Sequence, residues 1–192
     1  MFITTLVAVI VAYLLGSLSA AIITSKVMRL PDPRSYGSEN PGATNVYQYS
    51  GKKAAIFTLL GDLLKGFIAV FLVKFFVVDS NTVALVGVAV FLGHLYPLFF
   101  NFKGGKGVAT AFGVVLGVDL VVAFVLLVTW LLVYRFYKLS SLSALVAALF
   151  LPLYLYFFLD NDIYVGMGLF ISVMLFVRHR SNIVKILDGT ED

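Results

Sequence analysis

The 192-residue sequence contains no cysteine, and charged residues make up only 12% of it. The absence of cysteine excludes disulfides, thiolate metal sites, thiol nucleophiles and lipidation on cysteine. The hydrophobic fraction is 61%, whereas ordinary soluble domains have roughly 45–50%. This composition is typical of an integral membrane protein. Because the chain is short, we expect residues 1–192 to form a single membrane-embedded domain.

Long uncharged runs predict membrane-crossing helices, since about 20 helical residues span the hydrocarbon of a bilayer. The uncharged runs are Met1–Ser25, Ser80–Phe102, Val108–Val118, Leu120–Tyr134, Leu139–Leu159 and Ile163–Val177, and Ala54–Val78 is apolar except for Asp62, Lys65 and Lys74. We predict an all-α fold with about seven transmembrane or partly spanning helices, two of which form a hairpin that turns at Asp119. The first run lacks the basic start of a signal peptide, so we expect it to remain and span.

The basic residues are distributed unevenly among the connections. Twelve of the 14 lysines and arginines occupy alternate connections: Lys26, Arg29, Arg34, Lys52, Lys53, Lys103, Lys106, Arg135, Lys138, Arg178, Arg180 and Lys185. The positive-inside rule places these connections in the cytoplasm and the N-terminus outside. Because topology alone requires this charge, the pI near 9.3 does not indicate a nucleic-acid partner.

Three polar clusters belong to the predicted cytoplasmic face. The first glycine-rich segment is Gly37–Asn45, and the second is Lys103–Gly107, directly before the helix predicted from Val108. Glycine allows backbone N–H groups to converge on an anion, and a helix N-terminus favours phosphate. The third cluster is Arg178–Ile183, in which a continuing helix would place His179 and Asn182 on one face. A flexible turn or a helix anchor would explain each cluster taken alone.

The charged pair inside Ala54–Val78 has both a functional and a structural interpretation. Asp62 and Lys65 are three residues apart and can pair on one face of a helix. Charges inside a membrane often serve function, but a structural ion pair near the site explains them as well. We expect His94 to form a hydrogen bond between helices. No cluster has the spacing of metal ligands, so we predict no catalytic metal.

The clusters together resemble the bacterial integral-membrane acyl-phosphate:glycerol-3-phosphate acyltransferases. The resembling residues are Gly16-Ser17, Leu30–Arg34, Gly37-Ser38, Asn40–Asn45, Gly93-His94, Phe102–Thr110, Ser140–Leu142, His179 and Asn182-Ile183. The resemblance implies transfer of a fatty acyl group from acyl-phosphate to a hydroxyl of glycerol-3-phosphate. The products would be lysophosphatidic acid and phosphate, in the first acylation step of bacterial phospholipid synthesis. It also implies a multi-pass enzyme of the cytoplasmic (inner) membrane that uses no cofactor, contacts membrane lipids, and depends on enzymes that supply acyl-phosphate.

Roles for individual residues follow from this resemblance. The residues expected to act in catalysis are Ser38, Lys106, His179 and Asn182. The residues expected to bind substrate are Arg34, Asn40, Gly42, Thr44, Asn45, Gly104, Gly105, Gly107, Ser141 and Arg180. Either His179 or a substrate phosphate oxygen could accept the hydroxyl proton. Where the family pattern has glycine after Ser38, this chain has Glu39, which we expect to be exposed, peripheral and without need of a positive φ.

Two other classes of protein remain open. An anion transporter would also bind phosphate with glycine-rich segments and helix N-termini, but near the bilayer midplane. A membrane scaffold would not need three polar clusters on one face. The gathering of these clusters on one side therefore favours an interfacial enzyme.

Overall fold

The structure is a computed structural model that describes residues 2–77 and 79–191 and contains no strand within them. The ten α-helices of these ranges are α1 Phe2–Gly16, α2 Ala20–Val27, α3 Ala43–Ser50, α4 Lys52–Phe76, α5 Ser80–Leu95, α6 Val108–Val118, α7 Leu120–Tyr137, α8 Ser140–Leu159, α9 Asp162–Arg178 and α10 Arg180–Leu187. Short 3-10 turns occupy Pro33–Ser35 and Leu98–Phe100. The all-α prediction is confirmed.

Four of these helices are long and apolar enough to cross a membrane, namely α4, α5 with the turn that follows it, α7 and α8. The count rises to six if each of two bent pairs, α1 with α2 and α9 with α10, forms one span. The short apolar helix α6 is the remaining segment. These segments correspond to the seven apolar segments of the sequence.

The chain forms two compact units, Met1–Val118 and Asp119–Asp192. In the first unit, α4 contacts α1, α2, α3, α5 and α6, and α1 also packs along α5. In the second unit, α8 contacts both α7 and α9, and α10 contacts α8 and α9. Each unit therefore has one helix, α4 or α8, against which its neighbours pack.

The first apolar run is not one continuous helix. It breaks between α1 and α2, which differ in direction by 45°. The side chain of Ser19 caps α2 by accepting a hydrogen bond from the backbone N of Ile22, at 3.4 Å. In a bilayer such a break leaves backbone groups that lipid cannot satisfy, so protein groups must replace the missing partners.

A buried ion pair on α4 supplies these partners. Lys65 Nζ lies 2.8 Å from Asp62 Oδ1, and the two residues are only 5% and 2% exposed. Lys65 Nζ also donates to the carbonyl O of Leu18 at 2.7 Å, and Asp62 Oδ1 accepts from the backbone N of Ala20 at 3.4 Å. The cation thus faces the C-terminal end of α1 and the carboxylate faces the N-terminal end of α2, which is the arrangement that helix dipoles favour.

Glycines permit the close packing of α4 against α6. A Cβ atom built on Gly113 would overlap the carbonyl O of Leu63, and one built on Gly117 would lie 2.8 Å from Cβ of Val70. On α4, a Cβ at Gly66 would overlap the carbonyl O of Thr110. From the sequence alone, the spacing of Gly113 and Gly117 could be a packing motif or incidental. In the structure both lie in a helix–helix contact of the type formed by small residues in membranes.

Substitution of Gly113 by alanine should destabilise the protein, because the new methyl group must displace the backbone of α4. We expect a loss of about 1–3 kcal/mol, the range for overpacking. A Cβ at Gly166 in α9 would meet no atom within 4 Å, so Gly166→Ala is the matched control. Thermal unfolding in detergent should show a lower Tm for Gly113→Ala only. Equal Tm values for the two variants would contradict this account of the contact.

Candidate active site

The first glycine-rich segment is organised from inside by Asn45, which lies on α3 and is 2% exposed. Its Oδ1 accepts a hydrogen bond from the backbone N of Ser38 at 3.1 Å. Its Nδ2 donates to the carbonyl oxygens of Pro33, Tyr36 and Asn40, at 2.9, 3.3 and 3.1 Å. One buried amide therefore fixes the path of residues 33–40, which a loop without regular hydrogen bonds would otherwise leave loose.

Asp32 and Arg34 form an ion pair at the entrance to this segment. Asp32 Oδ1 accepts from the backbone N of Arg34 at 2.9 Å, and Arg34 Nη2 lies 2.7 Å from Asp32 Oδ2. The Arg34 guanidinium holds the pKa of the Asp32 carboxyl below its ordinary value, and the carboxylate raises the pKa of Arg34. The pair therefore stabilises the fold above the ordinary carboxyl pKa and is lost as the pH falls through the lowered one.

The two glycine-rich segments meet at a polar cavity of about 430 Å³ in the first unit. Arg34 Nη1 donates to the carbonyl O of Phe100 at 3.4 Å, which links the first segment to the chain that leads into the second. The lining residues are Asp32, Arg34, Ser35, Glu39, Pro41, Asn101, Lys103 and Gly104. Arg34 and Gly104 were predicted as site residues from the sequence. The adjacent polar residues Asp32, Ser35, Asn101 and Lys103 were not, although they flank or lie within the predicted segments.

Glu39 differs in part from its prediction. It is exposed, as expected, but it also lines the cavity. Its φ is +57°, so the expectation that this position needs no positive φ is wrong. The glutamate occupies the left-handed conformation that glycine would adopt without strain. The cavity therefore has two acidic and two basic side chains, and net positive charge does not explain how it would attract an anion.

The second glycine-rich segment leads into the N-terminus of α6. Gly104, Gly105 and Gly107 are buried, and Lys106 is half-buried. Gly107 has a φ of +94° and its carbonyl O accepts the hydrogen bond from the backbone N of Ala111, at 2.8 Å, that starts the helix. Lys106 thus lies two residues before an 11-residue helix, and the N-terminus of a helix favours anions.

The other predicted residues of the first segment lie close to its surface. Ser38 and Thr44 are exposed, Asn40 is half-buried, and Gly42 precedes α3 as its N-terminal cap. The backbone N of Gly42 donates to the carbonyl O of Asn40 at 2.8 Å. These residues form a tight turn, and the buried side chain of Asn45 holds the turn by hydrogen bonds to the backbone of Ser38 and Asn40.

In the second unit, the pairing of α8 with α9 places Ser141 and His179 at the same height. Ser172 Oγ on α9 donates to the carbonyl O of Ala148 on α8 at 2.6 Å, which fixes the register of these consecutive helices. Ser141 precedes Ala148 by seven residues, and His179 follows Ser172 by seven. Both are thus about 10 Å along the helices from the same contact. Ser141 is 7% exposed, and among the described residues its hydroxyl has no hydrogen-bond partner.

The helix does not continue through His179 as the sequence argument assumed. His179 is the junction of α9 and α10, which differ in direction by 62°. Its Nδ1 lies 2.8 Å from the carbonyl O of Leu175, so Nδ1 carries the donated proton and Nε2 is the basic nitrogen of the neutral ring. Asn182 follows in the first turn of α10, and its Nδ2 donates to Glu191 Oε1 at 2.6 Å. Glu191 was not among the residues predicted from the sequence. Arg180 is exposed.

Comparisons with known proteins agree over nearly the whole chain. The family model for glycerol-3-phosphate acyltransferase matches residues 6–189. A glycerol-3-phosphate acyltransferase of Cupriavidus metallidurans is 53% identical over 186 residues, which cover 95% of this chain and 92% of that protein. One of Burkholderia pseudomallei strain K96243 is 54% identical over 190 residues, with 97% and 93% covered.

Two crystal structures of PlsY (YgiH), an integral membrane glycerol 3-phosphate acyltransferase, have the same fold. The glycerol 3-phosphate form matches with a TM-score of 0.94 and 40% identity, over 98% of this chain and 94% of PlsY. The lysophosphatidic acid form matches with a TM-score of 0.91 and 39% identity over the same shares.

Replacement of Glu39 by glycine should stabilise the protein. The left-handed conformation costs a non-glycine residue about 1–2 kcal/mol, and the greater freedom of glycine in the unfolded chain offsets part of the gain. Glu39→Gln removes the charge but keeps the strain, so it is the matched control. We expect a higher Tm for the glycine variant alone. An equal rise for glutamine would assign the effect to the carboxylate.

Proposed function

This chain belongs to the glycerol-3-phosphate acyltransferase family, and we propose that it transfers a fatty acyl group from acyl-phosphate to a hydroxyl of glycerol-3-phosphate. The products are lysophosphatidic acid and phosphate. The observation that supports the proposal most directly is the polar cavity at which both glycine-rich segments meet. An enzyme that handles two phosphate-bearing substrates needs such a concentration of hydrogen-bond donors.

The supply of side chains suits an activated donor. Acyl-phosphate is a mixed anhydride, so the glycerol hydroxyl oxygen attacks the acyl carbon and the bond from that carbon to the phosphate oxygen breaks. The hydroxyl proton passes to a base, and phosphate leaves. Such a reaction needs alignment and charge stabilisation more than strong acid catalysis.

We assign the second glycine-rich segment mainly to the headgroup of the acyl-phosphate. Gly104, Gly105 and Gly107 carry no side chains in the segment that leads into α6, so a phosphate could approach the backbone closely, and Lys106 adds a positive charge. Thr44 lies on the first segment and contributes to the same headgroup. Asn45 was predicted to bind the same headgroup, and its four hydrogen bonds to the backbone support a role in positioning this segment.

We assign Ser38, Ser141, His179 and Asn182 to glycerol-3-phosphate, with Arg34 or Arg180 supplying positive charge. The buried hydroxyl of Ser141 lies in the first turn of α8, where helix N–H groups favour an anion. Because Nδ1 of His179 is bonded to the carbonyl O of Leu175, we assign Nε2 to the contact with a glycerol hydroxyl. Asn40 and Gly42 hold the turn beside Ser38.

The proposal includes a location. We place the enzyme in the bacterial cytoplasmic (inner) membrane with its N-terminus outside and its active site on the cytoplasmic side. The distribution of lysine and arginine supports this orientation. The continuous family match over residues 6–189 supports a single acyltransferase domain. Enzymes that make acyl-phosphate are its functional partners.

The donor is tested by a phosphate-release assay on purified protein in detergent. We expect palmitoyl-phosphate to release phosphate only when glycerol-3-phosphate is present, with an equal amount of lysophosphatidic acid formed. Palmitoyl-CoA should not replace it. Lys106→Gln should lower kcat/KM for palmitoyl-phosphate by about 10²-fold, the effect of removing one group that stabilises a developing charge. Lys52→Gln, at the exposed start of α4, should leave it unchanged.

Each alternative gives a different result in this assay. Turnover with palmitoyl-CoA alone would retain the acyltransferase but overturn acyl-phosphate as donor. Phosphate or glycerol-3-phosphate uptake into vesicles without turnover of either donor would favour a transporter.

The base is tested by His179→Ala, with Ser181→Ala as an exposed neighbouring control. We expect the histidine variant to keep kcat within about tenfold and to raise KM for glycerol-3-phosphate, because a phosphate oxygen of the substrate accepts the proton. Steady-state kinetics with each substrate varied separately measures this split. A loss of about 10²–10⁴-fold in kcat alone would make His179 the base.

A further inference from the structure

We propose that His94 is a positioning residue that holds the second glycine-rich segment in the conformation that binds a phosphate group. This inference rests on the proposed function only for the identity of the substrate that carries the phosphate. Its structural part concerns contacts within the first unit and is tested independently of any donor.

His94 lies in the last turn of α5 and is 7% exposed. The second segment passes directly over it. A Cβ atom on Gly104 would overlap the carbonyl O of His94, and a Cβ on Gly105 would overlap Nε2 of the His94 ring and lie 3.0 Å from its Cε1. The absence of side chains at Gly104 and Gly105 therefore permits the close contact with His94, in addition to the approach of an anion to the backbone.

The opposite edge of the His94 ring faces the buried ion pair of α4. Its Nδ1 lies 3.4 Å from Asp62 Oδ1, the oxygen that also receives Lys65 Nζ at 2.8 Å. The backbone of Asp62 is fixed as well, because its carbonyl O accepts a hydrogen bond from Thr110 Oγ1 on α6 at 3.0 Å. The ring is thus placed between a fixed carboxylate on one side and the backbone of the second segment on the other.

The rest of the segment also rests on the end of α5. A Cβ on Gly107 would overlap Cε2 of Phe91 and lie 2.9 Å from Cδ2 of Leu95. Phe91, His94 and Leu95 therefore form the support on which the segment enters α6. A displacement at Gly105 would move Lys106 and the first N–H groups of α6, and misplacement of binding groups by about 1 Å can cost 10²-fold in rate.

A double-mutant cycle between His94 and Gly105 tests the contact. Gly105→Ala should lower kcat/KM by about 10²-fold, because the new methyl group collides with the ring. His94→Asn keeps an amide near the position of Nδ1, beside Asp62, and removes the Cε1–Nε2 edge. The double variant should therefore recover at least about 10-fold over Gly105→Ala alone, a coupling expected only for residues in contact.

Gly107 provides the matched control. Gly107→Ala should also be harmful, but its collision is with Phe91 and its φ is positive, so His94→Asn should not restore it. Recovery of both glycine variants, or of neither, would overturn the proposal. So would a Gly105→Ala variant that equals the parent.

Two readouts separate this inference from the proposed function. Tm in detergent should follow the same cycle, with recovery for the Gly105 pair only, whichever donor the enzyme uses; recovery of folding by the double variant counts as the same result. The KM values for palmitoyl-phosphate and glycerol-3-phosphate are then measured separately. His94→Asn should raise the KM for one substrate and leave the other KM unchanged. The substrate whose KM rises is the one whose phosphate group the segment binds. Equal changes in both, or a change in kcat alone, would reduce His94 to a structural residue.

Discussion

A break inside a membrane span requires protein groups to satisfy the backbone, and here the Asp62–Lys65 pair does so. At the break, the carbonyl O of Leu18 accepts a hydrogen bond from Lys65 and the backbone N of Ala20 donates one to Asp62, in place of the bonds of a continuous helix. A buried ion pair is not in itself a source of stability, since desolvation opposes its attraction. Its value lies in geometry, because it fixes α1, α2 and α4 to one another at a single level.

The Asp62–Lys65 pair is connected to the candidate site by contacts with the neighbouring helices α5 and α6. Asp62 contacts His94 of α5, and its backbone carbonyl receives Thr110 of α6. Glycines bring these helices close: Gly113 meets the backbone of α4, and a side chain at Gly93 would overlap the carbonyl O of Tyr13 on α1. The intramembrane charges thus belong to the scaffold of the site, which agrees with the structural interpretation of their spacing in the sequence.

The sequence predicted features that depend on local pattern and missed those that depend on distant partners. The bounds of α6, Val108–Val118, were predicted because charged or glycine residues end the apolar run. The break after Gly16 was not predicted. It lies in a uniformly apolar run, and the residues of α4 that stabilise it are more than 40 residues away in the sequence. The positive φ of Glu39 was missed for a related reason: the strain is maintained by the surrounding loop, which Asn45 organises.

The composition of the cavity limits how it can recognise an anion. Asp32 and Glu39 balance Arg34 and Lys103 in formal charge, and Asp32 already engages the guanidinium of Arg34. The proposed binding of phosphate would therefore depend on directed hydrogen-bond donors rather than on a general positive field. Directed hydrogen bonds lose strength steeply when their angles change. A site of this kind would depend on a rigid backbone, which the buried side chains of Asn45 and His94 supply to the glycine-rich segments.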